Sequence, residues 1–204
     1  MADNIFWLGH DSFRLTGEKV VYIDPWKLAD GAEKADVILV THDHYDHYSK
    51  DDIAKISKTD TVVVAPQVVA QKLGGKVTLV KAGDTVNANG VNIEVVPAYN
   101  VNKNNHPKSA GHVGYIVTLN GKRIYHTGDV DLMPEMTQIK CDIALLPVSG
   151  TYVMTATEAA EAANTLKPAL AIPMHYDSGI GTRADAEEFK RLAQVPVEIL
   201  AKTK

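Results

Sequence analysis

The chain has 204 residues, 45% of them hydrophobic and 23% charged. That is enough apolar material for one domain over residues 1–204 with its own core, and it excludes the weakly hydrophobic, highly charged composition of a disordered segment. With 21 basic and 25 acidic residues, a formal charge of -4, the chain offers polyanions no general attraction, so nucleic acid is not expected as a partner.

The first residues lack a basic segment followed by an apolar stretch, and no run approaches a membrane span, so a cytoplasmic protein away from the membrane is expected. Ile5 to Leu8, Ser12 to Leu15 and Val20 to Ile23 predict short strands in hairpins, separated by Gly9-His10 and Thr16-Gly17-Glu18. Asp24-Pro25 ends the third, since proline restricts the residue before it and cannot donate to a ladder.

Val37 to Val40 is a short, β-branched apolar run bounded by polar residues, the pattern of a central strand. It stops at a burst of metal-type ligands: His42, His44, Asp46 and His47 supply three imidazoles and a carboxylate within six residues. One tetrahedral ion that keeps a position open for water cannot use them all, so two ions are expected. Alternation along an extended segment lets His42, His44 and Asp46 project one way while His47, at the turn, points elsewhere.

Ser49-Lys50-Asp51-Asp52 resembles a capping box and starts a short helix through about Ile56. Thr61 to Ala65 reads as a strand; Pro66 suits a first helical turn, Val68 to Leu73 continues that helix, and Gly74-Gly75 ends it. Lys76 to Val80 and Val91 to Val96 read as strands flanking the turn chemistry of Ala82-Gly83-Asp84 and Asn89-Gly90. The polar stretch from Pro97 to Gly114 is too rich in Asn, Pro and Gly to be core and has the character of a functional loop; it carries His106 and His112.

Tyr115 to Leu119 and Arg123 to His126 form a predicted hairpin around Asn120-Gly121, both of which tolerate positive φ. His126-Thr127-Gly128-Asp129 ends it, His126 falling in the alternating strand pattern that suits packing. Asp142 to Val148 is a buried run, followed by the loop Ser149-Gly150-Thr151-Tyr152. A helix from Thr157 stops at Pro168, and Ala169 to Met174 rises as a strand into His175. Ala184 to Ala193 reads as an amphipathic helix and Val197 to Leu200 as a closing strand. The single Cys141 lies beside an apolar run, where a small buried thiol fits and no internal disulfide can form.

His42-Asp43-His44-Tyr45-Asp46-His47 resembles the His-x-His-x-Asp-His signature of the metallo-β-lactamase-fold hydrolases. Within them the chain most resembles the small metal-dependent hydrolases related to the ascorbate-phosphate lactonases, with matching features from Gly9-His10 to Pro173-Met174-His175-Tyr176. The resemblance implies an α/β (α+β) fold, the four-layer αβ/βα sandwich, with metals along one edge of the sheets. It also implies His42, His44 and His106 at a first metal, Asp46, His47 and His175 at a second, and Asp129 bridging. His112, just before a strand, is the rival to His106, which matches the related hydrolases better. Asp24 is either the acidic residue supporting the metal loop from behind or a turn acceptor. His10 is either a proton donor beside the metals or a structural imidazole.

Two divalent ions follow as the expected cofactors, zinc first, with manganese or iron also compatible with an imidazole-rich set. A single zinc lowers a bound water's pKa from about 15.7 to about 7, so a water held between two cations is expected to ionise and attack a lactone or phosphoester. Lys103, Lys108 and Arg183 flank the ligands and are candidates for binding an anionic group of a small-molecule substrate; a homo-oligomer is a further expectation. A di-iron redox protein of this fold is the alternative, although it normally carries a carboxylate where this chain has His44. A non-catalytic metal-binding protein is another, although ligand loss is then expected and all seven positions are filled.

Overall fold

The computed structural model describes residues 2–203. Its first sheet runs in chain order through β1 (Ile5–Gly9), β2 (Ser12–Leu15), β3 (Val21–Ile23), β4 (Val37–Leu39), β5 (Val62–Ala65) and β6 (Thr78–Leu79). The first three strands are antiparallel hairpins and β3 to β6 are parallel. Parallel neighbours need crossovers, which helices α1 (Lys50–Ile56) and α2 (Gln67–Leu73) supply on either side of β5.

The second sheet repeats the plan. Strands β7 (Thr85–Ala88), β8 (Val91–Pro97), β9 (Val113–Leu119) and β10 (Lys122–His126) form an antiparallel meander, and β11 (Ile143–Pro147) and β12 (Leu170–Met174) continue it in parallel. Helix α3 (Ala156–Leu166) joins the last two strands and α4 (Arg183–Leu192) follows β12. The β9–β10 turn places Asn120 at φ 52 and Gly121 at φ 69, the left-handed pair that its sequence favours.

Burial explains why β4 is apolar at every position. Val37 and Leu39 join the main core with Phe13, Leu15 and Ile23 of their own sheet and Ile93 and Val117 of the other. Ile38 and Val40 join a second cluster containing Ile53 and Ile56 of α1 and Val69 of α2. Both faces of the strand are therefore covered, as expected for the middle of a parallel segment. On the second sheet α3 buries Ala159, Ala160 and Ala163, small side chains that let the helix lie close to β11. Helix, sheet, sheet and helix make up the four-layer αβ/βα sandwich.

Two local expectations are corrected. β7 was not anticipated: its residues pair with β8 at the sheet edge, Thr85 and Asn87 facing solvent and Val86 and Ala88 turned inward, an alternation only four residues long and set between turn residues. Conversely, Val197 to Leu200 does not form a strand but a single parallel bridge from Val197 to Ala171, because Pro196 contributes only its carbonyl and the chain leaves β12 after Glu198 N bonds Ala171 O.

One side chain ties the sheets together where the metal-type ligands begin. The buried Tyr115 hydroxyl of β9 donates to Val40 O at 2.8 Å, directly before Thr41 and His42. Tyr115→Phe keeps the ring but leaves that carbonyl without this donor, and a loss of about 1–3 kcal/mol is expected. A fall in the urea midpoint with unchanged m-value is the signature to measure.

Candidate metal centre

Every strand that carries a candidate ligand delivers it just past its C-terminal end. His42 to His47 follow β4, Asp129 follows β10 and His175 follows β12, while His106 lies in the loop between β8 and β9. His10 and Asp11 turn between β1 and β2 next to a register irregularity. The ligand loop is closed by Ser49, whose hydroxyl accepts from Asp52 N and caps α1.

Three ring nitrogens converge first. His44 Nδ1 stands 3.1 Å from His42 Nε2 and 3.2 Å from His106 Nε2. The protons of two of these rings are committed elsewhere. Thr41 Oγ1 gives its hydrogen to Asp24 Oδ2 at 2.6 Å, so it accepts from His42 Nδ1 at 3.0 Å. Asn100 donates its Nδ2 to Tyr152 O and accepts on Oδ1 from both His106 N and His106 Nδ1. The network thus assigns bare Nε2 lone pairs to His42 and His106, facing each other across the trio. A hydrogen on His44 Nδ1 can be directed at only one of them, whereas a cation inside the trio would satisfy all three nitrogens.

The same logic governs the neighbouring cluster. Asp24, an acceptor only, takes the Nδ1 hydrogen of His47 at 2.8 Å, and Ser149 Oγ takes that of His175 at 2.8 Å while donating to Thr151 O. Both Nε2 atoms then point at Asp129: His47 Nε2 lies 3.4 Å from Oδ1 and His175 Nε2 3.4 Å from Oδ2. His106 Nε2 is 3.3 Å from that same Oδ2. Asp129 therefore touches both groups of imidazoles. Among the described residues, single ligand atoms come within 4.8 Å of one another in three sets: His42, His44 and His106; His42, His47 and Asp129; and His10, Asp11, His47 and His175.

Buried polar atoms without a partner test whether a cation fits. His47 Nε2, Asp129 Oδ1 and both carboxylate oxygens of Asp11 are buried with no hydrogen-bond partner, and all lie in this cluster. Native interiors rarely leave such atoms unsatisfied, and imidazole lone pairs with carboxylate oxygens form the donor set of a divalent ion. The residues fit metal.

Charges in the cluster diverge accordingly. Burial, then His47, drives the His42 imidazole well below its usual range, and burial lowers His106 against the pull of Asp129. For His47, burial is outweighed by Asp129 and Asp24 and the pKa rises well above normal. Burial also works against ionisation of Asp129, yet His47 and His175 hold it well below the usual carboxylate range.

Asp46 projects differently from the other ligands in its loop. Its Oδ2 lies 3.1 Å from His10 Nε2, outside the three sets, and although burial opposes ionisation, His10 and His47 hold its pKa at about 2. His112 stacks on His42 with ring centroids 4.8 Å apart and belongs to none of the sets; burial and then His106 lower it to about 4. His126 is committed on both nitrogens, Nε2 donating to Asp11 O and Nδ1 accepting from Gly128 N, which makes it a brace behind the Asp129 turn. Cys141 is partly buried against the main core, and burial pushes its thiol up to about 11.

Over the ligands opens a cavity of about 450 Å³ lined by His44, Tyr45, Asp46, His106, Asp129 and Tyr152, among others. A larger one, about 550 Å³, lies against Arg14, Tyr22 and Lys202, and none of the ligands lines it. Lys103, Lys108 and Arg183 line neither: Lys103 faces Asp131 at 2.6 Å, Lys108 faces Glu135 at 2.9 Å and Arg183 faces Glu187 at 3.1 Å. Sequence reasoning passed over Asp11 and Asn100. For Asp11 a signal was present, an acid placed between the apolar strands at 5–8 and 12–15; nothing in the sequence marks Asn100.

Asp24 accepts at once from Thr41 N, Thr41 Oγ1 and His47 Nδ1. Asp24→Asn suits the left-handed backbone there, φ 47, but turns one acceptor into a donor. Metal affinity is expected to fall about 10- to 100-fold with the fold intact, as read by competition with a chromogenic chelator and by far-UV circular dichroism.

Comparison with known proteins agrees with this geometry. The family profile described as β-lactamase superfamily domain matches residues 4–175. A UPF0173 metal-dependent hydrolase of Thermoplasma acidophilum is 37% identical over 204 residues, covering 93% of this chain and 90% of that one. A relative of the same description from Pyrococcus abyssi is 36% identical over 202 residues, covering 91% and 90%. A solved structure from Parabacteroides distasonis, assigned as a metal-dependent hydrolase, superposes with a TM-score of 0.88 at 34% identity, covering 98% of this chain and 93% of the other. Igni18, a metallo hydrolase of Ignicoccus hospitalis, shares the fold at 24% identity, TM-score 0.79, covering 98% and 95%. Converging imidazoles, a shared carboxylate and matches over nearly the whole length lead to one assignment: the chain belongs to the metallo-β-lactamase superfamily and, within it, to the UPF0173 metal-dependent hydrolases.

Proposed function

We propose that the chain hydrolyses an ester-type bond, a lactone or a phosphoester, of a small molecule, using two divalent ions with zinc as the leading choice. The observation that carries the reading is Asp129, whose Oδ2 faces His106 on one side and His175 on the other while Oδ1 faces His47. A carboxylate so placed can be shared by two ions. His42, His44 and His106 would hold the first ion; Asp46, His47 and His175 the second. Bound there, such ions acidify water and polarise a carbonyl or phosphoryl oxygen.

The remaining work falls to the chain. Thr41, Asn100, Asp24 and Ser149 each engage one ring nitrogen and so aim four Nε2 atoms at the site in advance; His47, whose pKa is raised, gives up its Nε2 proton when a cation binds. His10, kept neutral near pH 7 mainly by burial, faces the ionised Asp46. A hydrogen on its Nε2 is thereby oriented at the edge of the site, where it can pass to a leaving oxygen. Lys103, Lys108 and Arg183 are matched by carboxylates and, among the described residues, no Lys or Arg lines the cavity, which supports an uncharged lactone over a phosphoester, whose phosphate only the ions would hold. Tyr45 and Tyr152, exposed at the cavity, supply apolar contact instead.

A screen of metal-replete protein over lactones, phosphomonoesters, phosphodiesters, thioesters and β-lactams tests the reading. His42→Ala and His47→Ala should lower metal content and turnover together; full hydrolysis by protein shown to be metal-free would refute it. An iron charge-transfer spectrum with no turnover on any of these substrates would favour the di-iron redox alternative.

His106→Ala should lose one ion and at least about 10²-fold in rate, judged against the 10- to 100-fold that even loss of a hydrogen-bonding partner behind a ligand costs. His112→Ala should remain metallated and active. Metal loss only in the second variant would reverse the assignment.

A further inference from the structure

Asp11 poses a problem that the ligand set above leaves unsolved. Its side chain is fully buried, and neither carboxylate oxygen has a hydrogen-bond partner. Its own backbone carbonyl is taken by His126 Nε2, which fixes the residue but does nothing for the carboxylate. Among the described residues no Lys or Arg is paired with it; burial, together with the neighbouring Asp129, pushes the Asp11 carboxyl well above the usual carboxylate range, and its other neighbour is His47, whose Nε2 lies 3.6 Å from Asp11 Oδ2. A buried carboxylate with no donor is among the least tolerated groups in a protein interior unless a cation sits against it.

The position of that cation is indicated by what surrounds the carboxylate. One oxygen of Asp11 and one nitrogen each of His10, His47 and His175 lie within 4.8 Å of one another. His47 Nε2 is itself unpartnered, as is Asp129 Oδ1, 3.4 Å from it. A buried carboxyl with no donor, an unpartnered imidazole nitrogen and an unpartnered carboxylate oxygen therefore share one small volume, beside the second ion's proposed ligands, and a cation there would displace their protons and satisfy all three.

We infer that Asp11 is an additional oxygen ligand to the second metal ion, so that this position is richer in carboxylate than the three-imidazole first position. This rests on the two-ion reading above. Hard oxygen donors favour manganese or magnesium more than imidazoles do, so the two positions differ in the metals they prefer.

Asp11→Asn, nearly isosteric and neutral, provides the test, read by binding and stability without any assay of turnover. Metal analysis after dialysis against graded free Zn²⁺ or Mn²⁺ should show the first ion held as in the wild type and the second weakened at least about tenfold. In thermal unfolding the metal-free variant should melt at or above the metal-free wild type, because an unsatisfied buried carboxyl is gone, yet gain less on adding metal. Two ions bound with wild-type affinity and an undiminished gain in melting temperature would overturn the inference. Should Asp11→Asn fail to fold, Asp11→Ser, which leaves room for water, replaces it in both measurements with the same outcomes expected. A protein that binds two ions through Asp11 yet hydrolyses nothing in the screen would sink the hydrolase reading and leave this one standing.

Discussion

Much of the site hangs on the carboxylate of Asp24. It is fully buried between β3 and the end of β4, and it is made tolerable there by three donors: Thr41 N, Thr41 Oγ1 and His47 Nδ1. Through Thr41 it sets the tautomer of His42, and directly it sets that of His47. Two ring nitrogens of the candidate metal centre are thus aimed by one anion lying behind both. Such a support is electrostatic as well as steric, because the negative charge at Nδ1 raises the basicity of the nitrogen that faces the metal.

Holding the ligands also strains the backbone. His10 (φ 53), Asp24 (φ 47), Tyr152 (φ 68), His175 (φ 60) and Asp177 (φ 56) adopt left-handed conformations in or beside the site. Non-glycine residues there cost on the order of 1–2 kcal/mol each, Asp less than the others. Elsewhere among the described residues such angles fall at Asn89 and Asn120 in hairpin turns, Lys167 at a helix end and Lys27 in the loop after β3. Such conformations persist where the surrounding structure holds them in place. Backbone bonds help: His175 N donates to His10 O, and Val113 N to Thr41 O, crossing from one sheet to the other at the rim.

Elements with a strong local signature were legible in the sequence. The β4 run, the Ser49 cap of α1 and the Asn120-Gly121 turn each carry their reason within a few residues, and the structure forms all three. The His and Asp spacing after β4 was legible for the same cause. β7 was not, because its alternation spans only four residues, two of them apolar, between turn residues on either side. Asp11 drew no reading, because the partner that holds its backbone carbonyl, His126 of the second sheet, lies 115 positions away. Asn100 is a further long-range product: the amide that fixes His106 also holds the carbonyl of Tyr152, 52 residues on. Sequence spacing carries no trace of such triangles.

The candidate ligands are divided between the sheets: His42, His44 and His47 belong to the first, His106, Asp129 and His175 to the second. Neither layer holds a complete set. Bound metal then acts as a clasp across the sandwich, and prying the layers apart means releasing it. Ligand that binds only the folded state adds RT ln(1 + [L]/Kd), about 2.7 kcal/mol when the free ion is at about 100 times its Kd. Folding stability thereby becomes a gauge of free metal in the surroundings, and a chain starved of its ions is also one whose two halves are less firmly joined.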